Sequence, residues 1–155
     1  MSDAFKIERY SITDKRNVLE ILKSAEVPVE DLTDETMKNF MVARGKDDSI
    51  IGVAGVEIHR ENGLLRSLAV DPAYRGKGLG ILLTRKIESL AREKGIHTIY
   101  LLTMTAAEFF PMLGYEVTQR DTVPASIRNT PEFNTICPVS AVCLFKVFDF
   151  TKRQV

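Results

Sequence analysis

Apolar and polar residues alternate at the start of the chain, where Phe5, Lys6, Ile7 and Glu8 predict a first strand running to about Tyr10. The pattern then turns helical. Thr13 or Asp14 is suited to cap a helix whose buried stripe is Val18, Leu19, Ile21 and Leu22, and Pro28 closes the region. Asp31 to Lys38 is polar and reads as a short helix or turn. Phe40 to Ala43 and Ile50 to Ile58 read as two strands of a hairpin around Gly45-Lys46-Asp47-Asp48, and Asn62-Gly63 as a second tight turn. Leu64 to Val70 follows as an apolar strand, stopped by Asp71-Pro72.

From Gly78 the period lengthens to that of a helix, with Leu79, Leu82, Leu83, Ile87, Leu90 and Ala91 on one face. Arg85, Lys86, Glu88, Arg92 and Glu93 fill the other, as a solvated helix surface does, and Lys94-Gly95 supplies the stop. His97 to Leu102 reads as a buried strand, Thr105 to Leu113 as a short helix ended by Gly114, Tyr115 to Arg120 as a strand, and Ser140 to Phe148 as the last one. The strands on either side of the long helix should be parallel. The order β-α-(α)-β-β-β-α-β-α-β-β is that of an α+β (mixed α/β) layout around one sheet.

Composition narrows the classes of function. The chain has 155 residues, and its 45% hydrophobic share suits one complete core, so residues 1–155 are expected to form a single domain. Twenty-one basic residues balance twenty-one acidic ones, which leaves no global field for nucleic acid or an anionic membrane. The apolar runs are strand-sized and the first residues lack the layout of a secretory signal, so a cytoplasmic protein is expected. Cys137 and Cys143 are too few for a disulfide scaffold, and with His59 and His97 far apart no metal site is expected.

The candidate chemistry lies where the apolar strand meets the long helix, at Arg75-Gly76-Lys77-Gly78-Leu79-Gly80. Three glycines let backbone amides approach an anion closely, and the helix start adds free amide donors and the positive end of its dipole. Arg75 and Lys77 add charge. The spacing selects among phosphate ligands. A dinucleotide fingerprint needs glycine at the sixth place, where Ile81 stands, and a triphosphate loop needs Lys-Ser or Lys-Thr at the helix mouth.

Arg75, Gly78 and Gly80 match the signature of the GNAT superfamily of N-acetyltransferases, which the chain resembles over nearly its whole length. Leu68-Ala69-Val70-Asp71-Pro72 is similar to the strand leading into that family's loop, and Ala107 to Tyr115 to its short helix with a Leu-Gly-aromatic ending. The resemblance implies a mostly antiparallel sheet of about seven strands with a parallel, splayed central pair and flanking helices. It implies acetyl-coenzyme A as cosubstrate, its pantetheine arm on the main chain of Leu68, Ala69 and Val70 and its pyrophosphate on Arg75, Gly76, Lys77, Gly78, Leu79 and Gly80. The implied reaction is direct attack of an amine on the thioester without an acyl-enzyme. Phe110 stands where many members carry a tyrosine as the acid, and Tyr74 and Tyr115 read as packing aromatics.

On the acceptor side, Glu57 is the candidate base, with His59 and Glu61 behind it. Arg66 sits inside an otherwise apolar strand, where an unpaired cation is costly, so it either pairs with Glu57 or a neighbour or faces an acidic substrate. Val123 to Phe133 and Cys137 to Ala141 resemble the arsenic-resistance-associated N-acetyltransferase subgroup, which implies a small, amino-acid-like toxic amine as acceptor and Arg66, Arg120 and Arg128 as candidates for its acidic groups. A homodimer through the last strands is compatible with the pattern but not demanded by it. Two further readings stay open, a non-catalytic acetyl-coenzyme A sensor that has lost its acid and a metalloid-binding accessory protein using the two cysteines.

Overall fold

A computed structural model of the protein describes residues 5–136 and 140–148. Seven strands form one sheet in the order β1-β2-β3-β4-β5-β7-β6: β1 (Lys6–Arg9), β2 (Phe40–Arg44), β3 (Ile50–His59), β4 (Asn62–Val70), β5 (Thr98–Thr103), β6 (Glu116–Thr118) and β7 (Val142–Val147). β1 with β2, β2 with β3, β5 with β7 and β6 with β7 are antiparallel, whereas β4 and β5 are parallel. This is the mixed α/β layout with one parallel pair that the sequence predicts. The helices are α1 (Lys15–Ser24), α2 (Asp34–Met37), α3 (Leu79–Glu93) and α4 (Ala125–Arg128).

The chain divides into two compact units, one formed by residues up to Glu57 with Arg66–Leu90, the other by Ile58–Leu65 with the residues from Ala91 on. In the first, Val18, Leu22, Met37, Phe40, Val42, Val53 and Ala69 make one buried apolar cluster, to which α1 contributes its stripe. Only Val18 and Leu22 of that stripe are fully buried; Leu19 and Ile21 pack at its margin. Two glycines make close packing possible. A Cβ at Gly55, cross-strand neighbour of Phe40, would stand 2.1 Å from the Phe40 ring, and one at Gly52 would stand 3.0 Å from Leu83 of α3. In the second unit Leu64, Val123, Ile127, Phe133 and Cys143 form the buried cluster.

Several expectations need correction. Asp14 stands at the N-cap of α1 but makes no capping bond; its carboxylate accepts from Arg44 Nη2 (2.8 Å to each oxygen) and from the Ser11 amide. The second tight turn falls at Arg60-Glu61, with Arg60 at φ 62°, so Asn62 and Gly63 already belong to β4. On α3, Leu82 is 43% exposed, while Glu88 is buried and accepts from Arg85 (3.0 Å). The helix expected over Thr105 to Leu113 shortens to a 3₁₀ turn at Phe110–Leu113, ended by Gly114 at φ 98°. α4 lies in a segment with no predicted element. No described helix is long and apolar enough to cross a membrane.

Candidate functional site

β4 carries the first part of the candidate site. Its parallel ladder with β5 comprises Asn62↔Thr98, Gly63↔Ile99 and Leu64↔Tyr100, and β4 runs on past these pairs to Val70. Within that continuation Ser67 adopts φ 60°, a left-handed conformation uncommon for a residue with a side chain and costly to hold inside a strand. Ala69 is buried in the apolar cluster of the first unit. Leu68 and Val70 are half-buried.

At the end of β4 the Asp71 amide donates to the Ile51 carbonyl (2.8 Å), and the Asp71 carboxylate accepts from the Ala73 amide (2.9 Å), so Asp71-Pro72 turns the chain into a 3₁₀ turn at Pro72–Tyr74. Arg75 then reaches back, its Nε donating to the Val70 carbonyl (3.1 Å). Gly76 and Gly78 follow at φ 79° and 81°, and a Cβ at either would meet nothing within 4 Å. Crowding therefore does not explain these glycines. What they supply is handedness and bare backbone over open space. Leu79 buries its side chain to 2% exposure and anchors the head of α3, leaving main chain as that residue's contribution to the loop. Gly80 lies in the first turn of α3, where Thr84 Oγ1 donates to its carbonyl (2.9 Å). Fifteen residues of helix thus begin where the loop ends, and the helix dipole points its positive end there.

Glu57 and Arg66 meet. Arg66, 3% exposed, donates from Nη1 to Glu57 (2.6 Å) and from Nη1 and Nη2 to the two Asp31 oxygens (2.6 and 2.7 Å), while its Nε donates to Ser67 Oγ (3.1 Å). Of the two alternatives open for Arg66, ion pairing is what is seen, and contact with an acidic ligand would require it to exchange a partner. Glu57 is 8% exposed and paired with Arg66. Asp31 and Ser67 were missed by sequence reasoning. The cost of an unpaired cation signalled that Arg66 needs acids, but Asp31 sits 35 residues away in a polar stretch with nothing local to mark it.

In the second unit Arg120, Asp121, Arg128, Asn129, Phe133 and Asn134 line an open pocket of about 380 Å³. Arg120 donates from Nη2 to the Phe133 carbonyl (2.8 Å) and its guanidinium lies 5.8 Å from the Phe133 ring centre. The structure therefore brings Arg120 and Arg128 to one pocket. Phe110 is buried, edge-on to Phe109 (5.0 Å between ring centres) and Tyr115 (5.5 Å). Tyr115 is likewise buried, with Lys146 Nζ 5.5 Å from its ring centre, as a packing aromatic should be. Cys137 lies outside the described residues. Cys143 is buried, and burial pushes its thiol up to about 11. No group of three or more His, Cys, Asp or Glu suited to a metal occurs among the described residues.

Residues 37–117 match the family model described as the acetyltransferase (GNAT) domain. The chain is similar to an uncharacterized N-acetyltransferase of Chlorobaculum tepidum, 31% identical over 110 residues that make up 70% of this chain and 68% of that one. It is 41% identical over 66 residues to an amino-acid acetyltransferase of Pseudomonas syringae, a match spanning 43% of this chain and only 15% of the relative. Among solved structures, N-acetylglutamate synthase from Neisseria gonorrhoeae, complexed with coenzyme A and N-acetyl-glutamate, superposes with a TM-score of 0.81 at 18% identity, covering 96% of this chain and 36% of that one.

Proposed function

The chain belongs to the GNAT acetyltransferase family, and from that premise we propose that it transfers the acetyl group of acetyl-coenzyme A directly to the amine of a small, amino-acid-like molecule. The observation that carries the donor side is the pair of left-handed glycines, Gly76 and Gly78, over open space at the head of α3. In this reading the pyrophosphate lies on Arg75, Gly76, Lys77, Gly78, Leu79 and Gly80, held by backbone amides, the α3 dipole and two cations. The pantetheine arm runs along the main chain of Leu68, Ala69 and Val70, and amide donors near Val70 polarise the thioester carbonyl. The amine nitrogen forms the new bond to the carbonyl carbon and the carbon–sulfur bond breaks. Coenzyme A leaves as a thiolate, and the one proton that the nitrogen loses on becoming the amide reaches that thiolate by way of the base or solvent. Glu57 is the proposed acceptor of the amine proton.

An amino-acid-like acceptor is supported by the amino-acid acetyltransferase likeness and by the N-acetyl-glutamate bound in the synthase. Arg120 and Arg128, with their shared pocket, are the proposed contacts for an acidic group, and Arg66 acts on the acceptor through Glu57. The finer assignment to the arsenic-resistance subgroup rests on sequence resemblance alone and makes an arsenic-bearing amino-acid analogue one acceptor to assay. A single domain acting in the cytoplasm, either alone or as a homodimer, completes the proposal. Titration calorimetry should detect acetyl-coenzyme A, and Gly78→Glu should abolish that binding while the circular dichroism spectrum stays native; no affinity in the unaltered protein would sink the proposal. The buried Phe110 favours a second reading, a sensor without an acid. Release of free thiol with any amine or amino acid rejects it.

A further inference from the structure

Ser67 holds a conformation that its side chain disfavours, inside a strand, and the side chains around it explain how. Arg66, its neighbour, is buried, and its Nε donates to Ser67 Oγ (3.1 Å). Glu57 accepts from Nη1 (2.6 Å), and Asp31 holds the guanidinium plane as a fork, accepting from Nη1 (2.6 Å) and Nη2 (2.7 Å), a geometry that sets orientation as well as distance. Asp31 comes from the connection between α1 and α2, so its hold on Arg66 is a tertiary contact.

We infer that Asp31 is a positioning residue. By clamping Arg66 it keeps the left-handed turn at Ser67 and so sets the main chain of Leu68, Ala69 and Val70. Its importance for catalysis rests on the acetyl-transfer reading above; the backbone geometry it controls does not.

Amide hydrogen exchange of Leu68, Ala69 and Val70 without ligand, referenced to Val42 and Val53 in the same unit, tests the clamp. Asp31→Asn should speed exchange at residues 68–70 about tenfold relative to the reference strands. It should also lower kcat with little change in KM for acetyl-coenzyme A. Adding Ser67→Gly should return part of the lost kcat, because glycine holds φ 60° without a clamp. If Asp31→Asn does not fold, Arg66→Lys, which keeps the charge but cannot fork, should give the same localised exchange. Exchange that is unchanged, or that rises equally at Val42 and Val53, overturns the inference, as does failure of Ser67→Gly to restore turnover. An unaltered protein that does not bind acetyl-coenzyme A defeats the acetyl-transfer proposal instead, and the exchange pattern still decides the role of Asp31.

Discussion

Arg66 is a buried cation shared by two carboxylates. Arg66→Met would leave the carboxylates of Asp31 and Glu57 close to one another without the cation that both share. Breaking a buried ion pair on one side typically costs about 3–5 kcal/mol. Urea unfolding should show a loss of that order for Arg66→Met and a smaller one for Arg66→Lys, which can pair without forking. Sequence reasoning reached half of this arrangement. A cation in an apolar strand implies a partner, and Glu57, nine residues away on the neighbouring strand, was within reach of strand arithmetic. Asp31 was not, because only the path of the α1–α2 connection brings it there. The loop glycines were legible for the opposite reason: their requirement is local and is met by the backbone alone.

Among the elements, α3 shows where periodicity stops informing. Leu79, Leu83, Ile87, Leu90 and Ala91 are buried as its 3.6-residue pattern predicts. Leu82 lies at the edge of that stripe and is exposed, while Glu88, assigned by type to the solvated face, is buried with Arg85 beside it. A stripe has a centre that the sequence locates and edges that the neighbouring elements decide. The β2–β3 hairpin was recognisable, but the role of Gly55 was not, since it depends on the Phe40 ring lying across it. Gly55→Ala should therefore destabilise the protein by about 1–3 kcal/mol, against the usual gain from replacing a strand glycine. In chemical denaturation, Phe40→Leu with Gly55→Ala should cost less than the sum of the two single changes. Additive losses would show that the ring moves aside freely.

At the scale of the whole molecule the sheet must protect its two ends. β6 is only three residues long, and β1 carries Lys6, Glu8 and Arg9, both ways of discouraging further strand pairing. Glu8 also ties β1 to β2, because Arg44 donates to it, and that bond, with Lys6 beside it, lowers the Glu8 pKa below its ordinary value of 4.5. A carboxylate with a depressed folded pKa stabilises fully above its unfolded pKa and loses the contribution as pH falls through the folded one. The difference in urea midpoint between the unaltered protein and Glu8→Gln should thus be constant from about pH 8 to about pH 5 and shrink at lower pH. A difference that persists unchanged at acid pH would remove the ion pair as its cause.

The open space over Gly76 and Gly78 carries a stereochemical consequence. An L residue fits neither position well because of the sign of φ, yet nothing nearby would obstruct a methyl group. A mirror-image D-alanine favours that sign, so it would keep the backbone turn that an L residue strains. Folding and the proposed pyrophosphate site ask for glycine on separate grounds, one chiral and one spatial, and the only achiral amino acid in the genetic code satisfies both.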